Sequence, residues 1–362
     1  MSKTEVPSLN LPIGLGNLLE ERAVADRELN AAIFSPVKNR VMLVNPQIYS
    51  PLNLIEGESS PVGVFLSDTY SNAPYRAEMD GEMSLEILPF HRRSALLGRV
   101  LFSDTEGRIY RDIDIKGSGN LRFGFSGGPA RMELGRIYHG DKNNLGGLME
   151  KDYALHDYEL SEEFLKAGIR THRTIGIIRL WEVVNGNTKI SLRGVSKYSI
   201  NQMHDNFRSV IQIRAFGTRA RVTNKDDTLL FEDARKMVSQ ELGMKRPMSN
   251  KEYIRWFAKT LGRNVGLMHE NGWTHRYLSD HNVTLDCRIV DLDSVGSDEY
   301  KRFQDYVDAR GLVYQLSEFK ISEEEREKCK EIYADTYLEA FSGGIALLSE
   351  RGILPVKHNS PS

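Results

Sequence analysis

Between about residues 82 and 225, apolar and polar positions alternate with the period of strands. After about residue 226 they recur with the period of helices. SLEILPF, LLGRVLFS and IYRDIDIKG each predict a strand, and Thr105-Glu106-Gly107 between the last two predicts a hairpin turn. Residues 148–167, LMEKDYALHDYELSEEFLKA, read as a helix that stops at Gly168. TIGIIRLWEVV and TKISLRGV flank Asn185-Gly186, a dipeptide suited to the positive φ angles of a tight hairpin. RSVIQIRAF and RARV follow as further strands.

In the second half, Ser249 and Glu252 form a capping box. It opens a helix whose apolar residues are Tyr253, Trp256, Phe257, Leu261, Val265 and Met268, and Asn271-Gly272 closes it. VTLDCRIVDLD reads as a small hairpin. Ser322 and Glu325 cap another helix, which runs to about Phe341. Strands, a helix, more strands and then helices predict an α+β chain with the bilobal organisation of a protein kinase. The expected divisions are an N-terminal extension over residues 1–80, a strand-rich N-lobe over 81–225 and a mostly helical C-lobe over 226–362. Residues 1–80 are rich in Pro, Asn, Ser and Gly, show weak periodicity and predict no function.

Composition narrows the function class. A chain of 362 residues is long enough for about two domains with a large core. Lys and Arg number 48 against 50 Asp and Glu, so there is no overall basic field to favour nucleic acid. The two cysteines, Cys287 and Cys329, have no metal-ligand spacing, and a reduced, cytoplasmic protein is expected. The N-terminal MSKTEVPSLNLPIGLGNLLEERA lacks the charged-then-apolar pattern of a signal peptide. No apolar run reaches the ~18 residues of a membrane span, so no membrane partner is expected.

The densest chemistry lies in residues 273–296, WTHRYLSDHNVTLDCRIVDLDSVG. Protein kinases write H-R-D-L-x-x-x-N and then, after a short hairpin, an Asp that holds magnesium. This chain writes His275-Arg276-Tyr277-Leu278-Ser279-Asp280-His281-Asn282 and then Asp291, with Tyr277 in place of the proton-accepting Asp. Asn282 and Asp291 offer hard oxygen ligands on facing strands of a hairpin, as Mg²⁺ beside a triphosphate requires. Asp293 is a rival ligand. His281 and Asp280 are the nearest groups able to take a proton.

Lys116 ends a strand and precedes Gly117 and Gly119, where a phosphate-gripping lysine would sit. A solvated lysine is the plain alternative. Asp157, Glu159 and Glu162 on the following helix are candidates for its carboxylate partner. Arg214, Arg219 and Arg221 form a cluster able to clamp phosphate, unless they are simply surface arginines.

Four blocks, in order over about residues 90–296, carry a resemblance to a known family: SALLGRVLFSDTEGRIYRDIDIKGSG, ELSEEFLKAGIRTHRTI, IRAFGTRARV and GWTHRYLSDHNVTLDCRIVDLDSVG. The chain resembles the selenoprotein O family, kinase-like protein adenylyltransferases. That family also lacks the usual Asp in the histidine loop, and its metal-binding Asn and Asp lie nine positions apart, like Asn282 and Asp291. The resemblance implies ATP bound in a flipped orientation, with Mg²⁺ or Mn²⁺, and AMP transferred to a protein hydroxyl. By position, it implies Lys116, Arg214 and Arg221 (or Arg219) on the phosphates and Arg93 in the first phosphate loop. Asp157 falls at the lysine's partner, which the family writes as Glu, and Asn282 and Asp291 fall at the metal.

The chain departs from the family at both Gly-Asp-Gly-Arg loops, which here read PFHRRSALL and FSGGPARME. Gly127 and Gly128 are left to do part of the second loop's work. The family's base falls on His281, and the tail LLSERGILPVKHNSPS carries no terminal Cys. A phosphotransferase and a non-catalytic nucleotide-binding pseudokinase are the alternative readings.

Overall fold

The computed structural model describes residues 30–48, 52–68, 82–87, 94–104, 107–119, 131–133, 136–138, 148–185, 188–192 and 208–353. The chain divides into two compact units, one of residues 1–158 and 173–217 and one of residues 159–172 and 218–362.

The first unit is built on antiparallel strands. They are β1 (Asn30–Pro36), β2 (Asn39–Val44), β3 (Val64–Asp68), β4 (Met83–Ile87), β5 (Ser94–Ser103), β6 (Ile109–Lys116), β7 (Arg131–Glu133), β8 (Arg136–Tyr138) and β9 (Met149–Glu150). Helix α1 (Lys151–Lys166) follows, and then β10 (Arg173–Leu180), β11 (Glu182–Asn185), β12 (Thr188–Ser191) and β13 (Ser209–Phe216). The main sheet runs β2-β10-β13-β6-β5-β4-β1-β3, with β9 beside β13. β7 pairs β8 and β11 pairs β12. Residues 30–68, part of the expected N-terminal extension, thus supply three strands of this sheet.

Period-two alternation positions the core. Ile113 and Ile115 of β6 and Ile211, Ile213 and Ala215 of β13 join Phe34, Phe65 and Ile178 in one apolar cluster. The intervening residues, Asp112, Asp114 and Lys116 in β6 and Gln212 and Arg214 in β13, face the other way, yet they are buried as well. A sheet face of buried charge persists only when its members satisfy one another.

Of the expected hairpin turns, Thr105, Glu106 and Gly186 lie outside the described residues, while the strands that flank them pair antiparallel. Gly107 has φ 77° and donates its N–H to Asp104 O at 3.0 Å between β5 and β6. Asn185 pairs with Thr188 across the β11–β12 turn. Helix α1 ends before Gly168, whose φ of 81° suits a residue without Cβ.

The second unit is mostly helical: α2 (Thr228–Glu241), α3 (Asn250–Glu270), α4 (Arg302–Ser317), α5 (Glu323–Ala340) and α6 (Gly344–Glu350). The capping box forms as expected, with Ser249 N donating to Glu252 Oε2 at 2.7 Å and Glu252 N donating to Ser249 Oγ at 3.3 Å. Tyr253, Phe257, Leu261, Val265 and Met268 are buried, and Trp256 is half-buried. Helices α3 and α5 pack closely because α3 carries two glycines. A Cβ on Gly262 would fall 2.4 Å from Tyr333 O, and one on Gly266 would fall 2.6 Å from Ala340 Cβ.

RARV is not a strand. Arg221 makes a single bridge to Thr284, and a short 3-10 turn follows over Val222–Asn224. The α+β expectation, strand-rich first and helical second, holds. Among the described residues no helix is long and apolar enough to cross a membrane.

Candidate functional site

In the first unit, Lys116 is the last residue of β6 and lies directly opposite Gln212 in β13, so their side chains share a sheet face. Gln212 Nε2 donates to Asp157 Oδ1 at 2.6 Å and to Thr174 Oγ1 at 2.7 Å. Of the three acidic candidates, the one held beside the lysine's strand neighbour is therefore Asp157. Its side chain is fully buried, Glu159 is exposed, and Glu162 is buried within the second unit.

Arg214 is engaged by protein. Its Nε donates to Asp114 Oδ1 and its Nη2 to Asp114 Oδ2, both at 2.9 Å, in the two-pronged arrangement a phosphate would otherwise take. Residues 114 and 214 are direct cross-strand partners, and both side chains are buried. Gly117 has φ 95°, and a Cβ there would lie 2.4 Å from Val210 O and 2.7 Å from Met149 Cβ. Close packing accounts for that glycine without a phosphate. Arg93, Gly127 and Gly128 lie outside the described residues.

In the second unit, the histidine loop is fixed from two sides. Asp305 of α4, fully buried, accepts His275 N–H at 2.7 Å and Arg276 N–H at 3.0 Å. These two bonds hold the loop through Arg276, whose φ is 68°. His275 Nε2 lies 2.8 Å from Val290 O. A carbonyl only accepts, so the ring proton sits on Nε2, and the imidazole ties the loop to the residue before Asp291. Ser294 Oγ lies 3.3 Å from His275 Nδ1 and 3.1 Å from Asp291 O, which closes the arrangement.

Asn282 and Asp291 sit at the open end of the predicted hairpin. Val283 bridges Ile289, and Val290 N donates to Asn282 O at 3.0 Å. Asn282 Nδ2 donates to Tyr277 O at 2.7 Å. Only the NH₂ end of the amide can make that bond, so Oδ1 is the end left to meet a cation. Asp291 follows Val290 with φ 58° and ψ 53°, a left-handed conformation that Asp tolerates better than most residues. An amide oxygen and a carboxylate, both half-exposed, fit the preference of Mg²⁺ for a few protein oxygens with water completing the shell. Among the described residues no three His, Cys, Asp or Glu side chains converge on one point, so a metal here would rest on this Asn–Asp pair.

Tyr277 is 69% exposed. His281 Nε2 lies 3.8 Å from Asp280 Oδ1, beyond hydrogen-bond reach, and both side chains meet solvent. Asp293 is half-buried in the turn after Asp291. Arg219 and Arg221 are buried in the second unit, where Arg221 N donates to Asn224 Oδ1 at 2.9 Å.

Asp305 also faces His269 of α3, whose Nε2 is 3.6 Å away and whose Nδ1 is 2.8 Å from Tyr337 OH. Burial pushes the His269 pKa down, more than its contact with Asp305 pushes it up. Asp305, Gln212 and Asp114 are the residues that sequence reasoning did not single out. Gln212 and Asp114 had a usable signal, because registering IQIRAF against IYRDIDIK places Gln212 opposite Lys116 and Asp114 opposite Arg214.

The chain matches no family model and no curated protein. Among solved structures, WaaP in complex with acyl carrier protein is similar over 71% of this chain and 88% of that chain, with 13% identity and a TM-score of 0.28. A likeness that weak carries no argument for fold or function.

Proposed function

We propose that the chain is a magnesium- and ATP-dependent transferase of kinase-like organisation that moves AMP from ATP to a protein hydroxyl. The observation that carries the metal reading is the Asn282 amide, tied through Nδ2 to Tyr277 O so that Oδ1 is the end left for a cation, at the same open end of the hairpin as Asp291. Asn282 and Asp291 would hold the ion, which when bound neutralises triphosphate charge. Lys116 grips phosphate, with Asp157 as its counter-charge and Gln212 orienting that carboxylate. Arg221 is a second phosphate contact, and Arg219 its alternative.

For AMP transfer, the acceptor oxygen attacks the α-phosphorus. The bond from that phosphorus to the bridging oxygen breaks, and pyrophosphate leaves. The acceptor's proton goes to His281 or Asp280, because Tyr277 replaces the usual carboxylate. The choice of AMP over phosphate rests on the resemblance to the selenoprotein O family.

One observation favours a second reading. With Arg214 held by Asp114, one expected phosphate arginine is already occupied, as in a pseudokinase that binds nucleotide without transferring any part of it. Thermal denaturation with ATP and Mg²⁺ tests what both readings share. Binding at a hundredfold excess over Kd stabilises the native state by about 2.7 kcal/mol. A raised melting temperature is expected, and no shift at millimolar ATP and Mg²⁺ would overturn both readings.

A further inference from the structure

The closed end of the Val283–Ile289 hairpin is built on buried charge that the proposed chemistry does not use. Asp286 and Arg288 lie in the turn, Arg170 follows α1, and Glu241 ends α2. Arg288 Nε donates to Asp286 Oδ2 at 2.6 Å and its Nη1 to Thr171 O at 3.0 Å, while its Nη2 lies 3.8 Å from Glu241 Oε2. Arg170 pairs with Glu241, and its Nε donates to Asp286 O at 3.3 Å. Asp286 and Arg288 are fully buried, and Arg170 and Glu241 nearly so. Burial opposes the charge on Arg170, and Glu241 and Asp286 together more than offset it, so its pKa is raised.

Neutral groups complete the clamp. Asn264 of α3 accepts Arg170 N–H at 3.1 Å and donates to Cys287 O at 3.0 Å. Tyr253 OH donates to Leu285 O, and Thr284 Oγ1 donates to Asp286 Oδ1 at 2.5 Å. Ile289 N donates to Arg170 O at 3.0 Å, and Thr171 Oγ1 donates to Ile289 O at 2.6 Å, so residues 170–171 are tied to the hairpin by a single parallel bridge.

Two cations and two anions in a dry interior are a poor way to gain stability, since apolar residues of the same size often do as well or better. What such a cluster does well is select one geometry. We propose that Arg170, Glu241, Asp286 and Arg288 are positioning residues for Asn282 and Asp291. They fix the register of the hairpin at its closed end, and the Val290–Asn282 bond carries that register to the open end where the pair sits. This inference rests on the metal reading of Asn282 and Asp291.

The test uses the full chain with Mn²⁺ as probe. Free Mn²⁺ is titrated by electron paramagnetic resonance in the presence of ATP, and amide hydrogen exchange is followed over residues 282–291. The variants are Glu241→Gln, which keeps shape and removes one charge, and the balanced pair Arg170→Met with Glu241→Leu. The balanced pair is expected to melt cooperatively, exchange faster at Thr284 and Val290, and bind Mn²⁺ about 10–100-fold more weakly, as loss of outer-shell support does elsewhere. Glu241→Gln is expected to move both readouts the same way by less. If both variants match the wild type in exchange and Mn²⁺ affinity, the positioning role is overturned. If the wild type binds no Mn²⁺ with ATP, the metal reading fails instead, and the inference fails with it.

Discussion

In the first unit the candidate residues themselves are buried. Lys116, Gln212 and Arg214 on one face of the sheet, and Asp157 on α1, all lie at or below 4% exposure. In the second unit Asp280, His281, Asn282 and Asp291 meet solvent, while the candidate arginines Arg219 and Arg221 are buried, as is the support of the loop and hairpin: His275, Asp305, Asp286 and Arg288. The contrast separates two ways of holding charge. On the sheet, strand register brings opposite charges into direct partnership, as with Arg214 and Asp114. On the loop and hairpin, buried side chains hold backbone amides and carbonyls, while Asn282 and Asp291 stay half-exposed. A charge used in the first manner is costly to remove, and one used in the second should be cheap for stability and costly for function.

The largest expected effect tests the sheet. Arg214→Leu strands the Asp114 carboxylate in the interior and should destabilise the chain by about 3–5 kcal/mol in urea unfolding, whereas Arg214→Leu with Asp114→Leu should recover most of that loss. If the single and paired variants are equally unstable, the pair is not the self-contained unit described.

The next effect tests the loop's support. Asp305→Ala removes the acceptor of two backbone N–H groups and should cost about 3 kcal/mol, from hydrogen bonds to a charged group worth ~1.5–3 kcal/mol each. A much smaller loss would show that the histidine loop holds its shape without α4.

A smaller effect is a pH dependence at the same anchor. The His269 pKa is lowered in the folded chain, so the unfolded chain takes the proton more readily. Its contribution to stability is therefore full above the ordinary imidazole value of 6.5 and is lost as pH falls below it. The slope is at most ~1.4 kcal/mol per pH unit. His269→Gln should flatten the stability profile between pH 6.5 and the acid limb of unfolding. An unchanged profile would assign the acid sensitivity to other groups.

What the sequence revealed follows the range of the forces involved. The capping box at Ser249, the antiparallel pairing of β11 with β12 and the 282–291 hairpin are local, and each is written within a few residues. Strands β1 to β3 were not legible, because NAAIFSP, NRVMLV and VFLSD are short and separated by irregular segments. RARV misled because alternating arginines mimic a strand pattern while their burial comes from contacts distant in sequence. Among the candidate residues, motif spacing is what singles out Asn282, Asp291 and Lys116. Choosing Asp157 over Glu159 required knowing which helix face meets Gln212. Asp305 and the Arg170–Glu241 pair are tertiary partners 29 or more positions from what they hold, and no local pattern marks them.

The most direct test of the central claim is self-labelling with ATP carrying its radiolabel on either the α- or the γ-phosphate, with the wild type and Asp291→Asn in parallel. Asn keeps the left-handed backbone tolerable and removes the charge. The account predicts retained α-label in the wild type, no retained γ-label, and loss of the α-label in the variant without loss of fold. Retained γ-label alone, or α-label equal in both proteins, would contradict it.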